Sequence, residues 1–464
     1  MRTKAMKGLA VLLSAAMLTI MVSSCGKKAT VSDDGNVTIT VGYWPKKEDT
    51  EKVALYEGYV EIMKNKYPEI TIIPDEFQYT PDTFLPAAAS GQIPNLYRVP
   101  FTEVSKIVDA GYAADLTEQF IANGYEAGIK DSVKELVTVD GKYYGIPYNA
   151  YIMGMIYNVD MFKQAGLVDA DGRPIYPTNF EELAKTAATI KEKTGKSGFA
   201  LPTVDKQGGW MLMSLAWSFG VDFMENIDGK WTATFDSPEM VNALQYISDL
   251  KWKYNVLPEN ILISRNDLYQ LFSSNQVACM YAAGDWANAM ISAYGLNKDN
   301  ISNSPVPAGN GGACAQIGGD IWMISPETTP EQIDAIFKWL GVKGDGLSLD
   351  EETVAHKAME YELNNKNGYA IANEVFTIFE NAERVNQLDE VRKPFLNVDE
   401  KIWNTSYSDE LTLKAEEPVE AQQLYAILSP LLQEILLNKD ADIPTLVKNA
   451  NDNFQKDFLN KNNN

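Results

Sequence analysis

The sequence predicts an α/β fold, and three observations carry that reading. Val37, Ile39 and Val41 alternate with Thr38 and Thr40, the period of a half-buried strand, and a stripe at helical spacing follows, Val53, Tyr56, Val60, Met63 and Tyr67. Met153 to Tyr157 reads as a buried strand, Asn158-Val159-Asp160 as a polar stop, residues 161–165 as a helix, and Gly166 as its C-cap glycine. The chain has 464 residues, 45% of them hydrophobic, enough for two or more domains with separate cores.

The first segment reads as an address. Arg2, Lys4 and Lys7 form a basic start, and residues 9–22 are apolar. That run is short of the ~20 residues a spanning helix needs. Val22-Ser23-Ser24-Cys25-Gly26 then looks like a lipobox, with small residues ahead of a cysteine that takes lipid, so Cys25 is the expected lipidation site. Two acyl chains suffice for stable anchoring. Residues 1–24 are expected to be a lipoprotein signal peptide and 25–36 a polar tether. Removing residues 1–24 leaves 37 basic against 63 acidic residues, a net charge of about −26. Such a body repels nucleic acid and anionic headgroups, so the only membrane contact expected is the N-terminal lipid. Cys279 and Cys314 can either pair or stay as buried thiols; there is no CxxC and no Cys/His cluster, hence no metal or cofactor is expected.

The stretch DGKYYGIPYNAYIMGMIYNVDMFKQAGL, residues 140–167, is the most informative. Asp140-Gly141 supplies the positive φ of a tight reversal, and Pro147 favours extended backbone. Turn, proline, Tyr157-Asn158, Phe162 and Gly166 recur in that order in bacterial extracellular solute-binding proteins. The chain thus resembles family 1 of that group, the maltose-binding-like sugar-binding lipoproteins of ABC transporters. The resemblance implies a two-lobed periplasmic-binding-protein-like fold of type II. Each lobe would be a mixed sheet flanked by helices, with the ligand cleft between them.

Further matches extend the resemblance along the chain. Gly42-Tyr43-Trp44-Pro45 ends the first strand, and strand ends in open α/β sheets face the crevice, so Tyr43 and Trp44 are site candidates. Residues 84–96 resemble the family's "aaaaG-aPDv" segment, with Asn95 where aspartate is usual, and Arg98 follows close to the cleft. Asp115-Leu116-Thr117 matches "dLt". Thr178-Asn179-Phe180-Glu181 reads as a capping box. In DKQGGWMLMSLAWSFG, residues 205–220, Gly208-Gly209 allows close backbone approach; Trp210 is a site candidate and Trp217 reads as core. Ser237-Pro238 starts a helix. Asn275 stands at a usual glycine of a left-handed turn. Ala283-Gly284-Asp285-Trp286 matches the family's "G-W" cleft loop, and Gly318-Gly319-Asp320-Ile321-Trp322 its strand returning to the first lobe. Thr329-Pro330-Glu331-Gln332 caps the next helix. The block 341–408 has no sharp motif, and its His356, the sole histidine, reads as a surface helix residue. Residues 416–437 read as helix with a restart at Ser429-Pro430, with Gln422 and Tyr425 as minor candidates.

The expected division is 37–147 with 318–345 as lobe 1 and 148–317 with 346–460 as lobe 2. The expected ligand residues are Tyr43, Trp44, Arg98, Asn149, Tyr151, Trp210, Asp285, Trp286, Asp320 and Trp322. Aromatic plates cover the apolar faces of sugar rings, and Asp, Asn and Gln pair with hydroxyls. The resemblance implies a non-enzymatic receptor on the extracytoplasmic face of the cell membrane. It would act as a monomer, closing on a carbohydrate and delivering it to the transmembrane subunits of an ABC permease. A charged small molecule anchored by Arg98 is the alternative ligand. The alternative functions are a glycan adhesin or a surface glycan-active enzyme; neither a Gly-x-Ser-x-Gly element nor a P-loop occurs.

Overall fold

The computed structural model describes residues 35–283, 285–374, 376–403 and 411–462. The expected signal peptide, Cys25 and nearly all of the expected tether lie outside the described residues, as does Gly284.

Two apolar cores form around one composite sheet. The first gathers Ile39, Val41, Leu96, Val99, Ile146, Ile321 and Ile336; the second Met155, Tyr157, Phe199, Leu212, Leu244 and Leu428. The strand order is Ile70–Pro74, Val37–Val41, Leu96–Pro100, Ala313–Ile324, Ile146–Asn158, Val277–Ala283, Ser197–Ala200. Val37–Val41 alternates buried and half-buried residues, as its sequence period requires, and pairs in parallel with Ile70–Pro74. The α/β lobes flanked by helices correspond to the fold class the sequence suggests.

Two strands, Ile146–Asn158 and Ala313–Ile324, run through both cores. Residues 146–152 of the first pair antiparallel with 317–322 of the second, and the register slips between Asp320 and Ile321. Beyond that joint, residues 153–158 pair with Val277–Ala283 and Ile301–Ser304 in the second core. The other strand pairs with Leu96–Pro100 at its C-terminal end and with Leu411–Ala415 at its start.

Local chemistry fixes most element ends. Asp140 and Gly141 take φ 50 and 75°, closing the hairpin of Thr138–Val139 with Lys142–Tyr143. Gly166 caps Val159–Ala165 at φ 71°. Ser237 and Thr329 are N-caps, each with proline in the first turn behind it, and Thr329 with Gln332 completes a capping box. Asn275 adopts φ 56°, as a glycine would. Asn95 serves as a sheet clamp: its Oδ1 accepts from the Thr40 amide and hydroxyl at 2.9 and 3.0 Å, and its Nδ2 donates to Thr328. Cys279 and Cys314 are buried and unpaired.

Some expectations are corrected. The cap of Phe180–Thr194 is Asn179 rather than Thr178; Glu182, not Glu181, reaches back to the Thr178 amide and hydroxyl. The helix Ala421–Leu437 passes through Pro430 without a restart, and residue 416 precedes it at a strand end. The block after 345, assigned to lobe 2, first packs on lobe 1. Helix Glu351–Lys366 pairs Lys366 with Glu51 at 2.9 Å and Asp350 with Lys66. His356 is buried, not on the surface: its ring lies 4.2 Å from that of Tyr59, and its Nε2 is 3.0 Å from the Leu55 carbonyl. Gly58 makes room, since a Cβ there would fall 2.4 Å from the imidazole. Arg384, on Ala382–Arg392, donates to the Gly346 and Gly344 carbonyls at 2.9 and 2.6 Å. These helices dock through polar contacts rather than an apolar stripe, so hydrophobic spacing could not assign them to a core. Between those helices Ala370 touches the second core, bonding Asn288, and the chain rejoins that core at Trp403 and Leu411.

Candidate functional site

The crossing strands floor a groove walled by both lobes. Tyr151, on the first, lies across Gly318 of the second, where a Cβ would come within 2.4 Å of the phenol ring. Above it is a chamber of about 240 Å³, lined by Pro100 and Thr102 of the first lobe and by Trp210, Arg265, Trp286 and Glu416 of the second.

Trp210 and Trp286 meet there, ring centroids 6.2 Å apart and planes 31° from parallel. Tyr269 supports Trp286 edge-on at 5.2 Å, and Trp286 is only 3% exposed, so Trp210 is the more open plate. Helix Gln207–Ser218 carries Trp210 and crosses Ala421–Leu437 at Gly209. A Cβ at 209 would sit 2.2 Å from the Tyr425 carbonyl oxygen, so only glycine permits this approach. The Gly209 amide donates to the Ser429 hydroxyl at 2.8 Å.

Glu416 fixes this wall. Its Oε1 accepts the Trp210 indole N–H at 2.9 Å and the Gln316 amide, and its Oε2 accepts the Tyr425 hydroxyl. Ser214 in turn donates to Gln316 Oε1 at 2.6 Å. Burial pushes the Glu416 carboxyl above the usual range, and those three donors oppose it. Glu417, beside Trp217, is pushed up to about 7, chiefly by burial.

The first lobe contributes an aromatic cage. Arg98 shares a strand face with Pro100, and its guanidinium lies 4.0 Å from the Tyr43 ring centroid, 4.8 Å from Tyr148 and 5.7 Å from Trp322. Its Nε is 3.4 Å from Asp320 Oδ2. Tyr43 reaches the cage with φ 57°, a left-handed backbone uncommon outside glycine. Burial raises the Asp320 carboxyl; Arg98 opposes this and Asp285 adds to it. Burial likewise raises Asp285, with Arg265 opposing. Asn149 Oδ1 accepts the Asp320 amide at 3.0 Å.

The structure therefore brings Tyr151, Trp210, Asp285 and Trp286 to one chamber, with Asn149, Asp320, Arg98 and Tyr43 alongside. Two candidates fall elsewhere. Trp44 stacks on Trp339 at 5.9 Å with Tyr56 edge-on at 5.0 Å, inside the first core; the turn at Tyr43 sends the next side chain inward. Trp322 is 1% exposed and donates to Asp345 Oδ2 at 3.3 Å, so it backs the cage without facing the groove. Sequence reasoning missed Glu416, Arg265, Gln207 and Thr102. The adjacent Glu416-Glu417-Pro418 was the available signal, masked by reading 416 as helical. Among the described residues no His/Cys/Asp/Glu group has the makings of a metal site.

A family model described as bacterial extracellular solute-binding protein matches residues 58–340. The chain is a member of that family. This solute-binding protein is 25% identical over 415 residues to the maltodextrin-binding protein MdxE of Bacillus subtilis, covering 86% of this chain and 87% of that protein. It is also 25% identical over 249 residues to the putative ABC transporter periplasmic-binding protein YcjN of Escherichia coli, covering 52% of this chain and only 54% of that protein. Among solved structures, a Thermotoga lettingae ABC transporter solute-binding protein bound with α-D-tagatose is similar, with TM-score 0.66, 20% identity, and coverage of 91% of this chain and 99% of that one. Maltose-bound MalE3 of T. maritima gives TM-score 0.62 at 19% identity, covering 90% and 99%. At these identities the structures show the fold: the two-lobed type II arrangement.

Proposed function

We propose that this protein captures an extracellular carbohydrate between its lobes and delivers it to the transmembrane subunits of an ABC importer. The observation that carries the reading is the Trp210–Trp286 pair, its Trp210 held by Glu416, in a chamber also lined by Thr102 of the other lobe. An aromatic plate with fixed acceptors suits a ring that is apolar on its faces and hydroxylated at its rim. Relatives named for maltodextrin, lactose and multiple sugars support the class.

The mechanism is hinge closure. The ligand contacts both walls, and the closed state gains only by the extra affinity it has for that ligand. The permease then engages the closed form. The protein works as a receptor and leaves its ligand chemically unchanged. It acts as a monomer held at the extracytoplasmic face of the membrane by lipid on Cys25. Among the described residues no helix is long and apolar enough to cross a membrane.

The deciding experiment is titration calorimetry of the mature protein with a panel of oligosaccharides, followed by chromatography of the mixture. Stoichiometric binding with the glycan recovered intact supports the receptor; turnover overturns it in favour of a glycan-active enzyme. Unaltered small-angle scattering on saturation would favour an adhesin. Metabolic labelling with palmitate, lost in Cys25→Ala, checks the anchor. The alternative of a charged ligand on Arg98 predicts that uronic-acid glycans bind while neutral ones do not.

A further inference from the structure

The Trp210–Trp286 plates do not close the groove at either end. On one side the central chamber shares Pro100, Thr102, Tyr151 and Glu416 with a chamber of about 490 Å³ walled by Trp217, Glu417 and, from the first lobe, Glu135. On the other it shares Lys206, Gln207, Arg265 and Gln422 with an open mouth of about 760 Å³, reached by Asp82 of the first lobe and Gln433 of the second. The plates thus stand mid-way along a passage. The central chamber, about 240 Å³, is smaller than the roughly 300–1,000 Å³ of a complete small-molecule pocket.

A second observation lies at the junction with the mouth. Gln207 Oε1 is buried yet has no hydrogen-bond partner, and the residue lines both central chamber and mouth. An acceptor withdrawn from water without a donor is unfavourable. A hydroxyl of a ligand passing from one compartment to the next would satisfy it. The mouth itself carries no aromatic plate. Its lining of Asp82, Asp205, Asn266, Gln422 and Gln433 can hold hydroxyls but cannot stack a ring.

We infer that the ligand is a linear oligosaccharide of at least three rings. One ring lies on Trp210, one in the inner chamber beside Trp217, and one leaves through the mouth past Gln207 and Gln422. The inference rests on the carbohydrate reading and adds to it ligand length, direction and an outer subsite. A chain threaded in this way is recognised along its length rather than at a terminus.

The test is titration calorimetry of the mature protein with maltose-, cellobiose-, xylobiose- and chitobiose-type series, each from one to five units. In the series that binds, affinity should rise about tenfold or more between one unit and three. Gln207→Ala and Gln422→Ala should weaken the trisaccharide more than the disaccharide, shrinking the gain from the third ring. A monosaccharide binding as tightly as its trimer overturns the inference while leaving the carbohydrate reading intact. So does a third-ring gain unchanged in both variants, with folding verified by thermal melting. Absence of binding in every series overturns the carbohydrate reading itself, and the inference with it.

Discussion

Glu416→Ala should damage ligand binding more than its position at the wall's edge suggests. The carboxylate accepts from Trp210 at 2.9 Å and also from Gln316 and Tyr425, so removing it strands three donors. A hydrogen bond to a charged group contributes about 1.5–3 kcal/mol. Gln316 and Tyr425 are buried, and water entering the vacated space can recover them only in part; it cannot hold the Trp210 indole at one angle. The net loss of ligand affinity should therefore be close to one such bond, about 1.5–3 kcal/mol, or roughly tenfold to a hundredfold. Glu416→Gln keeps shape and one acceptor and should lose less. Calorimetry with the tightest-binding glycan gives the affinities, and urea unfolding separates them from stability. An Ala variant that binds like the unaltered chain would refute the claim that Glu416 holds the stacking plate.

Gly209→Ala forces a Cβ to within 2.2 Å of the Tyr425 carbonyl and should cost about 1–3 kcal/mol by overpacking, read as a lower urea midpoint. Glu417 titrates near 7 in the fold because burial disfavours its charge, against about 4.3 when unfolded. The folded state thus holds the proton more tightly, so stability should fall as pH rises from about 4.3 to about 7, and Glu417→Gln should flatten that slope in melts across this range. Asn95→Asp keeps the one oxygen that accepts both Thr40 donors, and the Thr328 hydroxyl can turn to donate; chemical denaturation should shift by about 0.5 kcal/mol or less. Cys279 and Cys314 are buried and unpaired, so a thiol reagent should count both only after denaturation.

The legible parts of the sequence were those where local chemistry dictates geometry. Asp140-Gly141, Gly166, Asn275 and the Thr329–Gln332 box fold as their side chains demand because turns and caps are decided within a few residues. The crossing strand 146–158 was visible through its proline and apolar run. Tryptophan orientation was not visible, because a residue at a strand end can face either way. Trp44 and Trp322 turned into the first lobe, while Trp210 turned toward the groove on a helix that Gly209 lets approach. Helices 351–366 and 382–392 were illegible for a different reason: they are held by Lys366–Glu51, His356–Leu55 and Arg384–Gly344, partners distant in sequence that no periodicity announces.

The slip in pairing between Asp320 and Ile321 has a mechanical consequence. Both strands beneath the groove continue from one lobe into the other with their ladder bonds made on each side. The proposed closure need not break that ladder; the ribbon would have only to flex where its pairing is already irregular. In the proposed closure the lobes would therefore meet in register, with Asp320 at the fulcrum.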